Sequence, residues 1–100
     1  MILYVLSGPQ SSAKTQKAES LARLHNAILM DRAALAAAFL TVVDAPHLTA
    51  VMAENARFLL EAGYSVVIED WCTDYTNEDL WYSIAEKGNA VVQWVHVAEG

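Results

Sequence analysis

The chain has 100 residues, with 12 acidic and 6 basic side chains for a net charge of −6. That length holds one compact core, so residues 1–100 read as a single domain. The negative balance excludes bulk binding to nucleic acid or to an anionic membrane surface. Apolar residues make up 55% and charged residues 18%, a globular composition. Runs such as Ile2–Leu6 are too short to cross a bilayer, and no basic segment precedes that run to make it a secretory signal. Cys72 is the only cysteine, and no Cys/His cluster has zinc spacing. A reducing, cytoplasmic setting and no membrane contact are expected.

Ile2-Leu3-Tyr4-Val5-Leu6 is a continuous apolar run, as in a strand buried on both faces. Ser7–Ala13 is a small-residue loop. From Lys14 to about Asn26 the pattern is helical, with Ala18, Leu21, Ala22 and His25 at three- and four-residue spacing. Ala27–Met30 predicts a second strand, closed by Asp31, and Ala33–Leu40 a short alanine-rich helix. After Asp44-Ala45-Pro46, a longer helical face runs through Leu48, Val51, Met52, Asn55, Phe58, Leu59 and Ala62 to Gly63. Ser65–Ile68 predicts a third strand. Thr76 and Asp79 form a capping-box pattern for a helix carrying Leu80, Trp81, Ile84 and Ala85. Gly88-Asn89 ends it, and Ala90–Val97 is the fourth strand. Alternation of this kind predicts an α/β fold with a mostly parallel sheet covered by helices on both faces.

Between the first strand and first helix stands Gly8-Pro9-Gln10-Ser11-Ser12-Ala13-Lys14-Thr15. Phosphate-binding loops place a glycine, four residues, a second glycine, lysine, then serine or threonine. Gly8, Lys14 and Thr15 match, and Ala13 replaces the second glycine. Inward backbone N–H groups and a helix N-terminus cradle phosphate, lysine adds a compact charge, and the hydroxyl holds magnesium. A left-handed alanine would cost roughly 1–2 kcal/mol, weakening such a loop without abolishing it. Read blandly, the segment is a polar strand-to-helix turn. Its position after a buried strand and before an amphipathic helix favours the phosphate loop.

Carboxylates end two strands: Asp31 the second, Glu69-Asp70 the third. In parallel sheets, ligands bind outside the strand C-termini. A carboxylate there can hold magnesium, and another can take the proton from an attacking hydroxyl. Solvated loop acids or helix caps are the plain alternative for any one of them.

This ordered set resembles the polynucleotide kinase branch of P-loop kinases, which includes zeta-toxin-like members. The likeness rests on the Gly8–Thr15 loop, Leu29-Met30-Asp31-Arg32, the stretch Leu48–Asp70, and Thr76–Val97. It implies a three-layer α/β/α core with strand order 2-3-1-4. It implies a loop of Gly8, Ser11, Ser12, Ala13, Lys14 and Thr15 binding ATP phosphates, with magnesium at Thr15 and Asp70. Asp31 would be the general base and Arg32 would lie near the acceptor. The family continues into an arginine-bearing lid and a fifth strand, which this chain lacks. Lid arginines are worth roughly 10³–10⁵ in rate, so transfer here is expected to be weak, partner-assisted or lost.

Without a fifth strand, Ala90–Val97 becomes a long apolar edge that invites pairing, through a homodimer or a protein partner. The competing expectation is therefore a catalytically inactive kinase-fold protein, as small phage-encoded regulators would be, acting by binding a partner. A segment of a longer kinase also fits the ending Ala98-Glu99-Gly100. Packing rather than base stacking is expected of Trp71, Trp81 and Trp94. Cys72 reads as a bystander, His25 as a hydrogen-bonded residue on an apolar helix face, and His47 as part of a helix start. His96 has no metal-binding companion.

Overall fold

Continuous apolar runs build the middle of the sheet and mixed runs its edges. The computed structural model describes residues 1–39, 41, 43–69 and 78–97. Its elements are β1 (Ile2–Ser7), α1 (Ser12–His25), β2 (Ile28–Asp31), α2 (Arg32–Ala38), α3 (Ala45–Glu61), β3 (Val66–Glu69), α4 (Glu78–Lys87) and β4 (Val91–His96). The four strands form one sheet in the order β2-β3-β1-β4, and every neighbouring pair is parallel. The sheet order and layering are those expected. β3 is buried throughout and β1 from Leu3 onward, whereas β2 and β4 are partly exposed edges.

Side chains alternate across a strand, so each strand feeds two cores. Tyr4, Leu6 and Val67 pack under Ala18 and Leu21 of α1. Leu3, Val5, Val66 and Ile68 pack on the other face with Met52, Ala56 and Leu60 of α3 and Trp81, Ile84 and Ala85 of α4. Gly88 lets α4 end against α3, since an added Cβ would lie 2.5 Å from Leu60 Cβ. Trp81 is a core residue. Trp94 packs against the same core, with its indole N–H donating to the Tyr82 hydroxyl at 3.1 Å. Both tryptophans therefore serve packing.

Local capping sets the helix bounds. α1 starts two residues before Lys14 because Ser11 caps it, accepting from the Lys14 N–H. Asn26 ends it in the left-handed conformation, at φ 50°. Asp44 caps α3 through the His47 N–H at 3.0 Å and also meets His47 Nδ1 at 2.7 Å. His25 differs from expectation: it is exposed and stacks on the Tyr4 ring, with centroids 4.9 Å apart. Asp70, Trp71, Cys72, Thr76 and the ending 98–100 lie outside the described residues, as does Leu40. Among the described residues, no helix is long and apolar enough to cross a membrane.

Candidate functional site

All four strands are parallel, so their C-terminal ends form one rim. The link from β1 to α1 crosses it. Gly8 begins that link at φ +122°, a region that favours glycine, and a side chain there would strike the Val97 carbonyl. The Val97 N–H donates to the Ser7 carbonyl at 2.9 Å, which draws the end of β4 against the loop. Ser11 turns the chain into α1: its Oγ accepts from the Lys14 N–H at 3.2 Å, and its carbonyl from the Thr15 N–H at 3.2 Å. No acidic residue of α1 itself stands in its first turn, so the helix contributes its partial positive charge at this end.

Lys14 is fully buried and folds back over the loop, with Nζ donating to the Gly8 carbonyl at 3.2 Å. The Thr15 hydroxyl donates to Glu69 Oε1 at 2.6 Å. Glu69 is 1% exposed. Its second oxygen, Oε2, has no hydrogen-bond partner among the described residues. Strand register brings this about. Leu6 pairs with Glu69, which places the carboxylate beside the residue two before Gly8.

Asp31 pairs in register with Glu69 across β2 and β3. In-register residues of neighbouring strands stand about 4.8 Å apart and project from the same face, here the α1 face. Asp31 also caps α2: Oδ1 accepts from the N–H groups of Ala33 at 2.8 Å and Ala34 at 3.4 Å. Oδ2 takes no part in those two bonds. Arg32 turns inward, 1% exposed, and its Nη1 donates to Thr49 Oγ1 of α3 at 2.6 Å. Ser7 and His96 pair in register on the opposite face, with Ser7 Oγ 3.3 Å from His96 Nδ1. Among the described residues, no group of three His, Cys, Asp or Glu side chains is arranged for a metal ion.

The loop, Lys14, Thr15 and Asp31 therefore share the rim. Ala13 corrects one expectation. It lies inside α1 and is not among the residues with positive φ, so the cost of a left-handed alanine is not incurred. Its methyl group is then what distinguishes it from glycine here. Glu69 is the site residue that the sequence pattern did not separate from its neighbour. The signal that finds it is alternation along β3: Val67 faces α1, so Glu69 does too.

No family model and no curated protein sequence matches the chain. Among solved structures, it is similar to a kinase-like protein from Chloroflexus aurantiacus J-10-fl. That match has a TM-score of 0.80 and 14% identity over 95% of this chain. The chain spans 58% of the length of that protein. At this identity the likeness is one of fold: the four-stranded parallel sheet in the order β2-β3-β1-β4 with helices around it.

Proposed function

We propose that the chain binds the phosphates of ATP or a related nucleotide at Gly8–Thr15 and is a kinase-like phosphotransferase of weak unaided activity. One observation carries this reading. Beneath a loop closed by buried Lys14, Thr15 holds a buried carboxylate, Glu69, whose second oxygen is unpartnered among the described residues. Burying a carboxylate is expensive unless its oxygens are satisfied, and an incoming cation would satisfy this one. The residues thus fit a magnesium nucleotide. The loop N–H groups and Lys14 would hold phosphate, and Thr15 and Glu69 the metal, with Asp70 the next acid along the chain. Magnesium, when bound, offsets charge on the phosphate oxygens.

Asp31 is the base in this scheme. Oδ2 takes the acceptor hydroxyl's proton as the acceptor oxygen attacks the terminal phosphorus. The bond from that phosphorus to the bridging oxygen breaks, and the nucleoside diphosphate leaves. Arginine supply limits the rate. Arg23 lies about 16 Å along α1 from its start. Arg57 is tied to Glu54 and Glu61 on the surface of α3, each at 2.9 Å. Arg32 is held inward. None of these three arginines is therefore placed for the transferred group, and transfer by these residues alone would be weak, rising where an arginine is supplied from elsewhere.

A second reading has its own observation. β4 pairs only with β1 among the described strands, carries no Asp, Glu, Lys or Arg, and leaves Val91 69% exposed. Uncharged edges pair readily with other chains. On this reading the fold is catalytically inactive and acts by binding a copy of itself or a partner along β4.

Calorimetric titration of magnesium ATP separates the two, with Lys14→Ala beside the native chain. Micromolar binding that Lys14→Ala abolishes supports the nucleotide reading. Absence of binding at millimolar ATP rejects it in favour of the second.

A further inference from the structure

We propose that Arg32 and Thr49 are positioning residues. By tying the start of α2 to α3, they hold Asp31 with Oδ1 occupied and Oδ2 as the oxygen that receives a proton. Arg32 is the first residue of α2 and follows directly on Asp31. Its side chain is one of the largest fully buried ones in the protein, yet it carries a charge. Guanidinium keeps that charge at every physiological pH and presents five N–H donors in a rigid fork. A fork of this kind, buried and hydrogen-bonded, fixes the backbone from which it springs.

Thr49 supplies a fixed acceptor. It lies in the second turn of α3, is itself buried, and receives Arg32 Nη1 at 2.6 Å. α3 is a 17-residue helix packed on the main core through Met52, Ala56 and Leu60. α2 has only 7 residues, too few to be stable unaided. The bond thus anchors a weak element to a strong one. Its first turn then presents the Ala33 and Ala34 N–H groups to Asp31 Oδ1. With Arg32 released, that turn frays, and both oxygens of Asp31 become equivalent and mobile.

This role differs from contact with the acceptor, because the guanidinium is turned away from solvent. That Asp31 acts on an acceptor rests on the nucleotide reading above. The geometry of Asp31 does not, so the test reads the two separately.

Hydrogen exchange by NMR is measured on the native chain and on Thr49→Val and Thr49→Ser. Thr49→Val keeps the shape of threonine and removes the hydroxyl. It should speed exchange at the Ala33 and Ala34 amides by about tenfold, the loss expected for a released helix cap. Amides in β1 and β3 should not change, and Thr49→Ser should restore protection. In the native chain, the Arg32 Nη protons should exchange more slowly than those of Arg23 and Arg57. This last measurement needs no variant and holds even if Thr49→Val does not fold. With magnesium ATP present, Thr49→Val should lower the rate of ATP hydrolysis while leaving ATP affinity unchanged. Equal exchange at Arg32 and Arg57, or faster exchange spread evenly over the protein in Thr49→Val, overturns the proposal. Failure of the native chain to bind ATP would overturn only the nucleotide reading.

Discussion

Glu69→Gln separates a carboxylate held for a ligand from one held for the fold. In the native chain Oε1 accepts a 2.6 Å bond from Thr15, Oε2 has no partner among the described residues, and the side chain is buried. The bond to Thr15 is charge-assisted, worth roughly 1.5–3 kcal/mol against 0.5–1.5 for a neutral one. Substitution therefore loses about 1 kcal/mol there. The amide nitrogen that replaces Oε2 is a buried donor without a partner, which removes about 1–2 kcal/mol more. Against these losses stands relief of the buried charge, several kcal/mol per ion.

Relief is at least as large as the losses, so the unliganded variant should be as stable as the native chain or more stable by up to about 2 kcal/mol. For a domain of this size, each kcal/mol moves the thermal midpoint by roughly 4–8 °C. Melting followed by circular dichroism should thus show an unchanged or higher midpoint. Titration with magnesium ATP should show affinity lower by about tenfold or more, the equivalent of about 1.4 kcal/mol. A midpoint lowered by more than about 4 °C, together with intact affinity for magnesium ATP, would refute the reasoning and make Glu69 a structural strut for Thr15.

Gly8→Ala should destabilise the fold by at least about 2 kcal/mol, from left-handed strain plus collision with the Val97 carbonyl; urea unfolding would show it, and an unchanged midpoint would mean that the loop relaxes freely. The Asp44 carboxyl lies below its ordinary value of 3.8, first because it accepts from the His47 backbone N–H and then through the His47 ring. The proton prefers the unfolded chain, so this contribution to stability is complete above about pH 4 and fades as pH falls through the depressed folded value. Asp44→Asn keeps a capping side chain; its deficit against the native chain should be present at pH 6 and vanish towards pH 2, and a deficit independent of pH would contradict the assignment. If β4 pairs with a second copy, Val91→Lys should convert a sedimenting dimer to monomer with stability changed by less than about 0.5 kcal/mol; persistence of the dimer would remove β4 from the interface.

Much of the fold was legible because apolar periodicity and helix punctuation are local. Ile2–Leu6 and Val66–Ile68 are apolar without alternation, as strands buried on both faces must be, and they became the two central strands. Ser11 was harder: the helix begins where a side chain caps it, not where the apolar pattern begins, and that shift placed Ala13 inside α1. Glu69 and Asp70 alternate along the strand, but which of them faces α1 follows only once pairing with β1 fixes the face of Val67. The inward turn of Arg32 was invisible for a different reason. Charged residues are seldom fully buried, and the acceptor that allows it, Thr49, lies 17 positions away on another helix.

The buried polar side chains argue between the two readings of function. Among the described residues they are Ser7, Lys14, Arg32, Thr49 and Glu69. Ser7 and Glu69 end their strands, Lys14 closes the loop after β1, and Arg32 follows β2 and reaches Thr49. All five gather at the C-terminal rim of the sheet, while the cores beneath are apolar. Each buried charge there opposes folding unless something satisfies it. Arg32 meets Thr49, and Lys14 meets a loop carbonyl. Glu69 meets Thr15 with one oxygen, and among the described residues nothing with the other. Local conflict with the rules of packing is expected where a site has been kept for a ligand. A scaffold that only docked a partner along β4 would gain nothing from an unsatisfied carboxylate at the opposite side of β1, so the rim favours the nucleotide reading.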